Sequence, residues 1–363
     1  MPGSPASPTP SPEELAGRLL ESAVGAMDLF ALYAGEKLGW YRSLAADGPA
    51  TSTELAARTG TNERYTREWL EQQATTGILV ADDATNGSMR RFTLPEGYAS
   101  VLVDRESDLF MAPIGRFVAA TFAQAEPIVE AFRHGGGVAW KAFGEDMRTA
   151  QSDFNRPFFQ NSLVSGYLSQ VPALDDALSA TGARVAEIGP GGGWAAVAIA
   201  RAYPNARVDG FDIDPASCEL ANANVRAAGL ADRVTITHKD AGSTDLEGRY
   251  DLVCAFECVH DMPDPVSVLA TMRRLVKPGG TVLVMDERAG EEFGAVGDLI
   301  ERLFYGFSLG VCLPDGMSHP GSVGTGTVMR PGTFRKYCKD AGFAEVEILP
   351  LEHDMFRFYR LVV

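Results

Sequence analysis

Four short apolar runs in this chain each lead into residues that could do chemistry. VAEIGPGGGWAAVAIA, residues 185–200, carries Glu187 and then a glycine turn. RVDGFDID contains Asp212, and VTITHKDAG contains Asp240. YDLVCAFECVHDM ends its apolar part at Phe256-Glu257 and continues into His260-Asp261. Glycines after a strand let a ligand approach the backbone closely, and open α/β sheets bind ligands at the carboxyl ends of their strands. Asp212 lies 23 residues after Gly189, where a carboxylate can grip both hydroxyls of a ribose. Asp240 can accept from an adenine amino group. A histidine titrates near neutrality and is suited to moving a proton, which makes His260 the first candidate. His319, in the glycine-rich stretch PDGMSHPGSVGTGTVMRP, is the second. That stretch reads either as a mobile lid or as a plain loop.

The glycine turn admits two kinds of nucleotide. A dinucleotide fingerprint asks for G-x-G-x-x-G after the strand. Counted from Gly189, the first residue past the strand, Trp194 falls where the last glycine belongs. Counted from Gly191, the looser form ending in Ala196 fits. Glu187 is the more informative residue. A carboxylate just before the turn suits a cationic amino-acid end of a ligand and sits badly beside a pyrophosphate.

The elements that must hold these residues are legible from periodicity. From Arg184 onward, strands alternate with helices that run to Ala202, over 216–228 and over 264–275, the last stopped by Pro278-Gly279-Gly280. This rhythm predicts a doubly wound parallel sheet. The chain closes on helix TFRKYCKDAGF and two adjacent strands, EVEILPL and FRFYRLVV, close enough to be antiparallel.

The first half is different. MPGSPASPTPSP has the Pro/Ser composition of a disordered tail and lacks the regions of a signal peptide. Residues 13–46 read as one helix. Thr51 and Glu54 form a capping box for the next, Gly60 ends it, and a further helix puts Tyr65 and Trp69 on one face. ILVA and RRFTL flank Asn86-Gly87, a hairpin signal. Helix, turn, helix, hairpin is a winged-helix pattern, used either to bind DNA or to dimerise. Arg64 and Arg67 stand against Glu63, Glu68 and Glu71, which favours dimerisation because DNA readers cluster Lys and Arg. Residues 106–178 read as mostly helical, broken at Gly135-Gly136-Gly137.

Bulk charge points the same way. With 48 acidic against 32 basic residues the net charge is -16, a field that repels phosphate backbones and anionic membranes. No apolar run approaches a membrane span. Five scattered cysteines, with no C-x-x-C pair, read as reduced thiols in a cytoplasm. Cys254 and Cys258 have poor zinc spacing, and no metal is expected.

Taken together, E-x-G-x-G-x-G at Glu187–Gly193, Asp212 closing the second strand, Asp240-Ala241 after the third, the Asp251 strand and L-V-K-P-G-G resemble class I S-adenosylmethionine-dependent methyltransferases. The match covers about 184–363. The upstream winged helix resembles the dimerisation domain of two-domain small-molecule O-methyltransferases of plants and actinomycetes, and still more that of mycobacterial winged-helix methyltransferases. The resemblance implies a Rossmann-like doubly wound seven-stranded α/β sheet with a reversed C-terminal β-hairpin, preceded by a mostly helical winged-helix domain. It implies a tail over 1–12, a dimerisation domain over 13–105, a helical connector lining the site over 106–178 and a cofactor domain over 179–363.

Residue by residue, the same resemblance places Glu187, Gly189 and Gly191 along the methionine half of S-adenosyl-L-methionine. Asp212, with Ile213 beside it, binds ribose, and Asp240 and Ala241 flank adenine. Phe256 offers backbone to the methionine amino group, and Ser162 falls where the family holds the carboxylate. DFNRPFF resembles a stretch lining the site and places Phe154 and Phe158 there. With Trp140 and Tyr305 they would wall an apolar acceptor pocket, although aromatics at helical spacing are equally core. His260-Asp261 matches the start of an H-D-W motif whose His is a general base, and Asp286 matches its acidic partner. Met262 stands where the motif has Trp, and a histidine that merely caps the turn is the alternative. The implied activity is methyl transfer to a small-molecule acceptor, aromatic or natural-product, through O, N or C, in a cytoplasmic homodimer with no nucleic-acid or membrane partner. A ligand-sensing winged-helix regulator and an NAD-dependent oxidoreductase are the alternatives. A nucleic-acid methyltransferase is disfavoured because no N-P-P-Y-like tetrapeptide follows the fourth strand.

Overall fold

A computed structural model describes residues 10–84, 87–171, 173–243, 246–294 and 296–363. The chain divides into two compact units, residues 1–119 and 120–363.

The first unit is helical. α1 (Pro12–Lys37) starts with a Ser11/Glu14 capping box. The single helix expected over 13–46 instead breaks at Leu38-Gly39. Gly39 has φ 75°, a left-handed conformation in which glycine is unstrained, and α2 (Trp40–Asp47) begins after it. α3 (Ser52–Thr59) carries the predicted Thr51/Glu54 box and ends at Gly60, φ 67°. α4 (Glu63–Thr75) buries Trp69, 6% exposed, against Trp40 and Tyr41. Tyr65, expected on the same face, points outward and is 76% exposed. A wing follows: β1 (Val80–Ala81) pairs antiparallel with β2 (Phe92–Thr93). Asn86 of the expected turn lies outside the described residues, as do residues 1–9 of the expected tail. α5 (Ala99–Leu102) and α6 (Pro113–Phe122) complete this part of the chain. The Arg116 guanidinium pairs with Glu36 at 2.8 Å, both side chains nearly buried.

The second unit opens with α7 (Ala125–His134) and α8 (Trp140–Phe158). The expected break between them is present. Gly137 is there for space, because a Cβ would lie 2.0 Å from the Pro314 carbonyl oxygen. The chain then winds as a π-helix over Phe159–Tyr167 and continues into α9 (Leu174–Ser179). Next come β3 (Arg184–Ile188), α10 (Trp194–Ala202), β4 (Arg207–Asp212), α11 (Pro215–Ala227), β5 (Val234–His238) and β6 (Tyr250–Phe256). α12 (Pro265–Leu275), β7 (Val276–Glu287), α13 (Leu299–Phe307), α14 (Leu313–Met317), α15 (Pro331–Asp340), β8 (Glu345–Ile348) and β9 (Phe356–Val362) follow. Two predicted details change. α12 ends at Leu275 as expected, but the strand begins at once, at Val276, rather than after Pro278-Gly279-Gly280. Pro278-Gly279-Gly280 forms a register irregularity inside β7, whose pairing with β6 shifts between Tyr250 and Leu252.

The sheet order is β5-β4-β3-β6-β7-β9-β8. β9 runs antiparallel to both β7 and β8, as predicted for the terminal pair. One apolar layer sits on each face of the sheet, one including Trp194, Val197 and Phe358, the other Leu269, Met272 and Phe334. β3 and β6 are neighbours in the sheet although α10, β4, α11 and β5 lie between them in the chain. The strand order therefore reverses at β3/β6, and the crevice outside their carboxyl ends is where such sheets bind ligands.

Candidate active site

The turn after β3 is built from left-handed residues. Gly189, Gly191 and Gly193 have φ 66°, 51° and 74°. At Gly189 a Cβ would lie 2.9 Å from Cys258 Sγ, so the β3 and β6 exits approach at contact distance. Gly192 leaves room for Ser152, whose Oγ accepts a 3.0 Å hydrogen bond from Trp194 Nε1. Trp194 therefore seats α10 against α8, with the Arg156 guanidinium 4.2 Å from its ring.

Glu187, next to last in β3, is only 2% exposed. Burial pushes its carboxyl up to about 8; the Ala196 backbone N–H opposes this and the Asp212 charge adds to it. Oε2 is buried with no hydrogen-bond partner among the described residues. Such an atom asks for a donor from something else. At the end of β4, Asp212 Oδ2 accepts from Gly191 N–H at 3.1 Å, and Oδ1 from Asp214 N–H at 2.9 Å. Burial raises the Asp212 pKa against these two backbone donors. Ile213 is exposed beside it. Asp240 is exposed after β5 and accepts from Gly242 N–H, while Ala241 is buried. Phe256 ends β6 and packs toward Phe159. The structure thus brings Glu187, Gly189, Gly191, Asp212 and Phe256 to neighbouring strand ends. Ser162 is half-buried on the π-helical segment.

On the far side of β6, His260 is 3% exposed. Its Nδ1 lies 2.6 Å from Asp286 Oδ1 at the end of β7, so the expected pair is in contact. Two further carboxylates come close: Glu287, which the sequence reading missed, puts Oε2 2.9 Å from Nδ1, and Asp261 of the H-D pair puts Oδ1 3.1 Å from Nε2. Burial opposes a charged imidazole, but Asp261, Glu287 and Asp286 outweigh it and hold the pKa well above the ordinary value. Asp286 and Glu287 divide their roles. Burial works against charge on Asp286, yet His260 and the hydrogen bonds from Glu287 hold it low. Burial raises the Glu287 pKa well above the ordinary carboxylate value, His260 opposes this, and Asp286 beside it adds to the rise.

Glu257 was also missed. It follows Phe256 with φ 55°, a left-handed conformation rare outside glycine. Burial and then Asp286 push its carboxyl up to about 8. Asn155 Nδ2 donates to its Oε2 at 3.2 Å, and Oε1 is buried with no hydrogen-bond partner among the described residues. A Phe-Glu pair at a strand end was visible in the sequence; nothing there showed that the side chain turns inward.

The aromatic residues divide. Phe158 packs against Tyr167, His353 and Phe356 beneath the terminal hairpin. Phe154 is half-buried on α8. Trp140 donates its backbone N–H to Asp315 Oδ1 at 2.7 Å, and Tyr305 Oη accepts from Arg330. The segment with His319 is tied down: Gly326 N–H donates to the His260 carbonyl and Val323 N–H to that of Pro263.

Comparison with known proteins agrees with this architecture. Residues 185–280 match the family model of a methyltransferase domain, and residues 29–104 that of an Rv2258c-like winged HTH domain. A ubiquinone biosynthesis O-methyltransferase of Pseudomonas aeruginosa is 32% identical over 111 residues, 31% of this chain and 47% of that protein. The chain spans about half the length of such relatives, and only 5% of the polyketide synthase ThaQ of Burkholderia thailandensis, which it also matches. Among solved structures, the mitomycin 7-O-methyltransferase MmcR has a TM-score of 0.67 at 23% identity, with 96% of this chain and 97% of that one covered. Human N-acetylserotonin methyltransferase in complex with SAM has a TM-score of 0.69 at 22% identity, with 98% and 99% covered. These two likenesses are likenesses of fold.

Proposed function

We propose that this chain, a methyltransferase domain joined to an N-terminal winged HTH domain, moves a methyl group from S-adenosyl-L-methionine to a small-molecule acceptor. The observation that carries this reading is Glu187. It is a buried carboxylate with one oxygen unpartnered among the described residues, at the carboxyl end of β3 where the strand order reverses. An ammonium group fits it; a pyrophosphate would meet both Glu187 and Asp212 with like charge. When bound, S-adenosyl-L-methionine supplies a methyl already activated on a sulfonium.

The chain's own residues then bind and align. Glu187 and the Phe256 backbone hold the amino end, Ser162 the carboxylate, Asp212 with Ile213 the ribose, and Asp240 with Ala241 the adenine. Gly189 and Gly191 allow the backbone to come close. Alignment of nucleophile and methyl supplies much of the rate for such a reaction. Phe154, Trp140 and Tyr305 remain our candidates for the acceptor side; Phe158 is assigned to the support of the hairpin.

α1 presents Leu15, Leu19, Leu20, Val24, Met27 and Phe30, each about half to two-thirds exposed. A stripe of this kind favours a second copy of the chain as its cover. A DNA-binding regulator is disfavoured because Arg64 pairs with Glu68 and Arg67 with Glu63. All five cysteines are free, which supports a reducing compartment such as the cytoplasm. Among the described residues no helix is long and apolar enough to cross a membrane.

The test is calorimetric titration of the full chain with S-adenosylhomocysteine. Mass spectrometry with S-adenosylmethionine and a panel of phenols, amines and carbon nucleophiles follows. Absence of S-adenosylhomocysteine binding, with tight NADH binding in its place, would overturn the reading.

A further inference from the structure

We propose that Glu257 takes the proton from the acceptor, and that His260 is a positioning residue locked between carboxylates; this rests on the methyl-transfer reading above. His260 is ringed by carboxylates: Nδ1 is hydrogen-bonded to Asp286 Oδ1 at 2.6 Å, and Glu287 Oε2 and Asp261 Oδ1 lie at ion-pair distance, 2.9 Å from Nδ1 and 3.1 Å from Nε2. Against burial, these carboxylates favour the charged ring, raising its pKa well above the ordinary value, and a protonated imidazole has no lone pair to offer. Its backbone carbonyl is covered by Gly326, and its side chain is sealed from solvent.

Glu257 is arranged differently. Its N–H is fixed by the Met285 carbonyl at 2.8 Å, and the left-handed φ of 55° takes the residue out of the strand's alternation. One carboxylate oxygen is clamped by Asn155 and the other is buried without a hydrogen-bond partner among the described residues. It directly follows Phe256, at the same strand end as Glu187's neighbours. The groups around it are Asn155 from α8, Asp286 from β7, and His260 and Asp261 from the turn. Burial and Asp286 raise its pKa, His260 and Asn155 lower it, and Asp261 raises it further, to about 8. A base near the working pH combines a usable deprotonated fraction with real proton affinity.

The step balances as follows. The acceptor's O–H or N–H proton passes to Glu257 Oε1. The pair left on the acceptor forms the bond to the methyl carbon. The carbon–sulfur bond breaks with its electrons going to sulfur, giving the neutral thioether and the methylated acceptor. Glu257 then returns its proton to solvent.

Two readouts test this on the full chain. With carboxyl-¹³C glutamate and S-adenosylhomocysteine bound, a resonance should titrate near pH 8 and vanish in Glu257→Gln. Glu187→Gln separates the other high-pKa carboxylate. The His260 ring should stay protonated through that range. With the panel phenol or amine that the wild-type chain methylates fastest, Glu257→Gln should cut kcat by about 10²–10⁴-fold while the S-adenosylhomocysteine Kd moves less than twofold. Glu257→Asp should retain part of the rate and the same pH limb, and His260→Asn should keep the limb. Glu257→Gln with undiminished turnover, a neutral His260 at pH 7, or a limb that disappears in His260→Asn would each overturn the assignment. Loss of S-adenosylhomocysteine binding by the wild-type chain would instead defeat the methyl-transfer reading.

Discussion

Glu187 and Glu257 stand at the ends of adjacent strands, and both are carboxylates that burial holds near pH 8. Their consequences differ. Glu187 should ionise when it meets a cationic amino end, because a nearby positive charge favours the carboxylate. S-adenosylhomocysteine affinity is therefore expected to rise as pH increases from 6 toward 8, by up to about tenfold per unit, and to level off above. Calorimetry across that range checks it, and a flat profile would exclude the ion pair. Glu187→Gln keeps the shape and removes the charge. It should weaken binding by about 10–100-fold, the value of about 1.5–3 kcal/mol for a charge-assisted hydrogen bond.

At the scale of elements, two close approaches set the geometry. The glycine at 137 lets the α7–α8 connection lie on the Pro314–Ser318 backbone, which in turn covers the His260 turn. Gly137→Ala would force a backbone contact of 2.0 Å apart and is expected to cost about 1–3 kcal/mol, measured by denaturant unfolding. In the first unit, Thr51 Oγ1 accepts from Glu54 N–H while Glu54 reaches back to Thr51 N–H. Thr51→Ala removes one half of that box and should cost about 1 kcal/mol. An unchanged midpoint with an unchanged m-value would show that the box contributes nothing.

For the whole molecule, the linkage sign is set by acids whose folded pKa exceeds the unfolded one. Glu187 and Glu257 stay protonated in the fold while their unfolded counterparts titrate near 4.5. The folded state then holds more protons, so stability of the ligand-free chain should fall as pH rises from about 5 through 8. Thermal unfolding at graded pH checks this, and saturating S-adenosylhomocysteine should flatten the fall. The α1 stripe makes a separate prediction. Leu20→Lys with Met27→Lys should leave the fold intact and convert a dimer into a monomer in sedimentation velocity. A wild-type chain that already sediments as a monomer would remove the proposed partner.

The sequence by itself determined the rhythm of strands and helices, the antiparallel final pair, the Thr51 cap and the strand ends that carry Glu187, Asp212 and His260. Those features are local: periodicity, turn residues and caps act over a few residues and are read directly. It misjudged the helix across Gly39 and the facing of Tyr65, where a single left-handed residue and the packing of Trp69 decide. The family resemblance paired His260 with Asp286, but only the tertiary structure decided the full surroundings of the ring. Asp286 and Glu287 come from a strand 26 and 27 residues away, and Glu257 meets Asn155 from a helix 102 residues earlier. Charge interaction depends on distance in space and on the burial that removes water's screening. Neither can be read from spacing along a chain, so the sequence could name the histidine and, through the family resemblance, Asp286, but not Glu287 or the inward turn of Glu257.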